Sequence, residues 1–135
     1  MTADKGQQIF KYAIYPWNGS IAESELIENA YELNCPVTLQ AGDAGEKSLF
    51  RLDQPNIIIE TVKPAEDCSG DIIMRLYEAL RTATSAELST SFPLQSVQQT
   101  DMLEKTISEL VVEGERVKLT FRPFEVKTLR LHIRK

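Results

Sequence analysis

The chain has 135 residues, 42% of them hydrophobic, with only six Gly and six Pro, a composition that suits one compact domain, 1–135, built around a single core. A formal net charge of −5 with scattered Lys and Arg argues against a nucleic-acid surface, which needs clustered cations to displace counterions from phosphates. No apolar run approaches the roughly 18 to 20 residues of a membrane span, and Met1 to Gly6 is polar with no apolar segment behind it, so a soluble, cytoplasmic chain with no membrane partner is predicted.

Phe10-Lys-Tyr-Ala-Ile-Tyr15 reads as a strand, with Phe10, Tyr12 and Ile14 sharing an inward parity. Pro16-Trp-Asn-Gly19 supplies turn chemistry, and Ser20-x-x-Glu23 forms a capping box, so a helix is predicted over about 21–34. Leu26, Ile27, Ala30, Tyr31 and Leu33 keep helical spacing along it. Asn34 suits a left-handed stop, and Pro36 cannot continue the helix. Cys35 and Cys68 lack a nearby Cys or His, which predicts reduced, partly buried thiols and neither a zinc site nor a disulfide framework.

From Pro36 the period falls to two. Val37–Leu39 and Ser48–Leu52 read as short strands around a mobile Gly42-Asp-Ala-Gly45 loop. Ile57-Ile-Ile59 is apolar without alternation, which predicts a central strand covered on both faces within 56–62. Asp71–Tyr77 is a further strand after a Cys68-Ser-Gly70 turn, and 84–92 places Ala86, Leu88 and Phe92 on one parity. Residues 94–107 fit neither period well and read as an exposed strand at 95–99 followed by a loop.

Leu110–Val112 and Arg116–Phe121 flank Glu113-Gly114-Glu115 as a hairpin, with Val117, Leu119 and Phe121 facing the core. In the last strand Leu129, Leu131 and Ile133 share a parity that Phe124 and Val126 do not. A bulge near Lys127, or burial of both faces at its start, would reconcile them. Arg130 and Arg134 then fall on a solvated face, and the strand runs to the final residue. About ten short strands with regular turn signals describe a mainly β fold: a two-layer antiparallel sandwich with one short helix near its N-terminus.

Chemical motifs are sparse. His132 is the sole histidine and sits on an outward parity as a surface residue, and no phosphate loop, HExxH or nucleophile elbow is present, so no catalytic or metal-ligating residue is assigned. The 20 carboxylates could supply an acid/base pair, but sequence spacing cannot show the defined separation a glycosidase needs. Tyr15, Trp17 and Asn18, at the end of the first strand, form the candidate surface. Its aromatic rings suit either stacking on a sugar, as in a carbohydrate-binding module, or packing against a partner domain, which is the favoured reading.

Five blocks in order, Phe10–Pro16, Ala30–Pro36, Pro55–Asp67, Ile73–Ala79 and Leu119–Leu129, resemble the C-terminal part of family 38 glycoside hydrolases, the α-mannosidases. The resemblance covers nearly the whole chain and implies a non-catalytic C-terminal sandwich that supports the catalytic and middle domains of the same polypeptide, with mannose-containing glycan as the substrate of the parent. It further implies a nucleophilic aspartate, an acid/base carboxylate and a zinc ion held by His and Asp in an N-terminal barrel, upstream of Met1. No cofactor is expected within these residues. Trp17 stands where the family often has histidine after the Tyr-Pro pair, so any role of that imidazole is absent here.

Overall fold

The computed structural model describes residues 5–42 and 45–134. The chain divides into two units, Met1–Thr38 and Leu39–Lys135. Asp43 and Ala44 of the expected loop, and the final Lys135, lie outside the described residues.

The first unit holds a 3₁₀ turn, Ile21–Glu23, and one helix, α1, Leu26–Asn34. The expected helix over 21–34 is therefore broken in two. Glu23 does reach back, its Oε2 accepting the Ser20 N–H at 3.2 Å, but Ser24 donates to the Ile21 carbonyl and accepts the Leu26 N–H, which restarts the chain at α1. The helix stops at Asn34 without a left-handed residue: Cys35 has φ −120°, and Asn34 Nδ2 instead donates to the Ala30 carbonyl at 2.7 Å. Two expected strands are not formed. Residues 10–15 and 37–39 have no ladder partner among the described residues, and Phe10, Tyr12 and Ile14 are exposed rather than inward. A strand-forming sequence becomes a strand only where a neighbour accepts its backbone groups.

The second unit is the sandwich, with nine strands among the described residues against the ten expected. β1 (Phe50–Leu52), β4 (Thr84–Thr90), β8 (Arg116–Phe121) and β7 (Val112–Glu113) form one antiparallel sheet in the order β1-β4-β8-β7. β2 (Ile57–Pro64), β3 (Ile72–Glu78), β9 (Val126–Ile133), β5 (Leu94–Thr100) and β6 (Thr106–Leu110) form the other, in the order β2-β3-β9-β5-β6. Between them pack Met74 and Leu76 of β3, Ala86 and Leu88 of β4, Leu94 and Val97 of β5, Val117, Leu119 and Phe121 of β8, and Leu129 and Leu131 of β9. The expected alternation of β4 and β8 is present; of the expected hairpin, Val112–Glu113 rather than Leu110–Val112 pairs with β8 around Gly114 at φ +67°, since Leu110 ends β6 in the other sheet.

Three expectations about the five-stranded sheet need correction. β2 is an edge strand, not a central one: Ile57 is buried but Ile58 and Ile59 are half-buried, and a register shift between Ile59 and Thr61 breaks the alternation. β5 is interior rather than exposed, paired on both sides, with Leu94 and Val97 both in the core. The three-residue step between them arises from a shift between Leu94 and Ser96, which hides the period of two. That shift, not a bulge near Lys127, is the irregularity beside the last strand; the β3–β9 register runs unbroken through Lys127, while Phe124 and Val126 are exposed. No helix among the described residues is long and apolar enough to cross a membrane.

Candidate functional site

The densest polar cluster sits where β9 crosses the turn between β2 and β3. Alternation on β9 turns Leu129 and Leu131 into the core and Arg130 and His132 to the opposite face. There Arg130 Nε donates to Asp71 Oδ2 at 2.7 Å, and Nη2 donates to Asp67 Oδ2 at 2.6 Å and Ser69 Oγ at 2.9 Å. His132 Nδ1 lies 3.0 Å from the same Asp71 oxygen. The Asp67 and Ser69 side chains also close their own turn, accepting the N–H groups of Ser69 and Asp71. Arg130 is thus not the solvated residue expected, its side chain being 15% exposed, and His132 is half-buried rather than a free surface group.

Arg130 carries the one fixed positive charge of this cluster, set against the carboxyl groups of Asp67 and Asp71. The Arg130 hydrogen bond holds the Asp67 carboxyl down at about 2, with Ser69 helping. For Asp71 burial acts upward, but the Arg130 and Ser69 hydrogen bonds and the nearby His132 and Arg130 charges outweigh it and leave the pKa lowered. Arg130 is raised in turn, first by Asp67 and then by Asp71. A carboxyl whose folded pKa is depressed stabilises the fold above its unfolded value and loses that contribution as pH falls through the folded one. Asp67→Asn is therefore expected to flatten the acid limb of stability between pH 3.8 and about 2, seen as a smaller change in urea midpoint across that window than in the unmodified chain. An unchanged slope would mean that the Arg130 contact is not formed in solution.

Beside the cluster lies an open, mostly polar cleft of about 610 Å³ lined by Ser69, Asp71, Gln95, His132, Ile133 and Arg134. A guanidinium already engaged by two carboxylates has little charge left for a ligand, so the cluster's evident work is to pin the 67–71 turn onto β9. A second network crosses the same sheet: Lys63 Nζ of β2 donates to Glu104 Oε1 at 2.5 Å, and Glu104 Oε2 accepts the Glu66 N–H at 2.9 Å, tying the 101–105 loop to the end of β2. The Glu104 hydrogen bond raises Lys63 and the Lys63 hydrogen bond lowers Glu104. These partners are 38 to 63 residues apart in sequence. Parity marks Arg130 and His132 as outward, but nothing local reveals their acidic partners.

Tyr15 and Trp17, in the other unit, stack on each other with centroids 6.4 Å apart and an interplanar angle of 20°. Trp17 is 45% exposed and Asn18 is exposed. The two thiols are free but exposed, not partly buried: Cys35 follows a helix in a unit with no buried residue among those described, and Cys68 occupies a turn at φ +57°. Among the described residues no group of three or more His, Cys, Asp or Glu could hold a metal ion.

The profile described as the glycosyl hydrolases family 38 C-terminal beta sandwich domain matches residues 56–129, from the residue before β2 to the middle of β9. The chain belongs to this family. The family 38 sandwich is therefore the second unit almost from β2 onward. Over 138 residues the chain is 39% identical to Alpha-mannosidase 2C1 of Mus musculus and 36% identical to that of Homo sapiens. It is 29% identical over 139 residues to Alpha-mannosidase G of Dictyostelium discoideum. Each alignment covers 96% of this chain, yet the chain spans only 13% of the length of these curated relatives.

Proposed function

We propose that these 135 residues are the C-terminal portion of a larger α-mannosidase and serve it as a scaffold, taking no part in bond cleavage. The observation that carries this reading is the family 38 sandwich match over 56–129 within a chain that spans 13% of its α-mannosidase relatives. The polar cluster agrees with it, since the Arg130 guanidinium is already engaged by Asp67 and Asp71 and fastens their turn to β9. The whole of 1–135 would then form one C-terminal domain against the catalytic and middle domains of the same polypeptide, with Tyr15, Trp17 and Asn18 contributing to that contact. Mannose-containing glycan would bind the catalytic domain, and the zinc would be held there as well. Two exposed, unpaired cysteines suit a reducing compartment, and we assign the protein to the cytoplasm on that ground.

An aryl α-mannoside assayed with added zinc tests the proposal. The full-length polypeptide is expected to turn it over, and the isolated 135 residues to stay at background. Turnover by the isolated chain would overturn the scaffold reading.

A further inference from the structure

Ile9-Phe-Lys-Tyr-Ala-Ile-Tyr15 has the aromatic and β-branched content of a strand, and in the structure it runs outside any helix or strand. Its rings pair two residues apart: Phe10 with Tyr12 at 6.2 Å between centroids, and Tyr15 with Trp17 at 6.4 Å. Side chains two apart share a face in extended backbone, so the segment carries aromatic groups on both faces. Ile9, Phe10, Tyr12 and Ile14 are 76–90% exposed. Among the described residues none of the backbone groups of 9–15 has a backbone hydrogen-bond partner.

A strand-forming segment with Phe10, Tyr12 and Ile14 on one face, and Ile9, Ala13 and Tyr15 beside Lys11 on the other, belongs in a sheet that covers at least its first face. Its own unit cannot provide that cover. No described residue of 5–38 is buried, and a unit of this size without a core is below what folds alone. The alignments to the α-mannosidases cover 96% of the chain, so they leave out too few residues to exclude 9–15, and those relatives are several times longer. The segment also precedes the sandwich profile, which begins only at residue 56.

We propose that residues 9–15 are a β-strand whose partners lie in the remainder of the parent polypeptide, so that strand pairing joins this domain to the rest of the enzyme. This inference rests on the reading of the chain as part of a larger α-mannosidase. Backbone hydrogen bonds would supply the register, and Phe10, Tyr12 and Ile14 on one face with Ile9 and Tyr15 on the other would supply the buried area.

Hydrogen exchange followed by mass spectrometry, on the full-length polypeptide and on the isolated 135 residues, tests it. In the full-length protein the amides of 9–15 are expected to exchange at least about 100-fold more slowly than in the isolated chain. Ala13→Pro, which removes one ladder donor, should abolish that difference, while Ala13→Val should keep it. Equal protection in both samples would overturn the proposal in favour of cover by this chain's own sandwich, or by a second copy if protection depends on concentration. Fast exchange in both would overturn it outright. Mannosidase activity of the same full-length sample separates the two readings: an active polypeptide with unprotected 9–15 sinks only the strand inference, and an inactive one with protected 9–15 sinks only the enzymatic reading.

Discussion

Replacing Glu78 with Ala is expected to destabilise the sandwich by about 3 kcal/mol, because three part-buried donors lose their acceptor and a fully buried orphaned group costs roughly 1–3 kcal/mol. Glu78 ends β3 at 1% exposure. Its Oε1 accepts Asn56 Nδ2 at 2.9 Å and the Leu80 N–H at 2.8 Å, and its Oε2 accepts the Phe124 N–H at 2.9 Å. Asn56 Nδ2 also donates to Thr84 Oγ1 at 2.7 Å, so the carboxylate links the start of β2, the exit from β3, the start of β4 and the turn into β9. That last turn is strained: Phe124 has φ +58°, a left-handed conformation that costs a non-glycine residue roughly 1–2 kcal/mol. Its N–H bond to Glu78 helps hold it there.

Thermal unfolding should register the change as a melting point lowered by about 12–24 °C, at about 4–8 °C per kcal/mol for a domain of this size. Glu78→Gln keeps one carbonyl acceptor but turns an amide donor toward other donors, so its cost should be about half, on the same scale of one to three kcal/mol per orphaned group. The pH dependence is a second signature. Burial acts to raise the Glu78 pKa, yet hydrogen bonds led by Phe124 and Asn56 overcome it and leave it below the ordinary value of 4.5. The charged form thus stabilises the fold above pH 4.5 and that contribution fades as pH falls through the lower folded value; Glu78→Gln should lose that part of the acid limb. A melting point for Glu78→Ala within a degree or two of the parent would show that these turns are held by other contacts.

How far the sequence anticipates this structure depends on whether each strand keeps a strict period. β4 and β8 alternate without interruption, and Ala86, Leu88, Val117, Leu119 and Phe121 were all legible as inward. β5 was not, since the register shift beside Leu94 spaces two core residues three apart and mimics neither strand nor helix. Ile57–Ile59 misled for the converse reason: an unbroken apolar run suggests burial on both faces, whereas an irregular edge strand half-buries it on one side. Glu78 carried no signal at all. A glutamate at a strand end reads as solvated, and only the return of the chain at residue 124, 46 positions later, surrounds it with donors. The Arg130 cluster shares that limit, with parity visible and partners not. Family blocks succeeded where periodicity failed because they register the combined outcome of such long-range contacts.

Leu129→Ala should have an effect of similar size on stability and a sharper bearing on function. Leu129 is fully buried on β9, the middle strand of the five-stranded sheet, with Met74 and Gln99 as its cross-strand partners. Truncating a leucine so enclosed costs about 2–5 kcal/mol, the lost transfer energy plus the cavity left when two packed sheets cannot close over it. Val126→Ala on the same strand, at a side chain 54% exposed, should stay within about 0.5 kcal/mol and control for strand propensity. In the full-length polypeptide a purely supporting sandwich predicts a specific kinetic pattern. Leu129→Ala lowers the yield of folded enzyme and its half-life on heating, while kcat/KM per folded molecule on an aryl α-mannoside stays within about twofold, since no transition-state contact has been removed. A tenfold loss of kcat/KM in the folded fraction, at a temperature where circular dichroism shows the sandwich intact, would mean that the sandwich positions groups at the reacting centre and is more than a support.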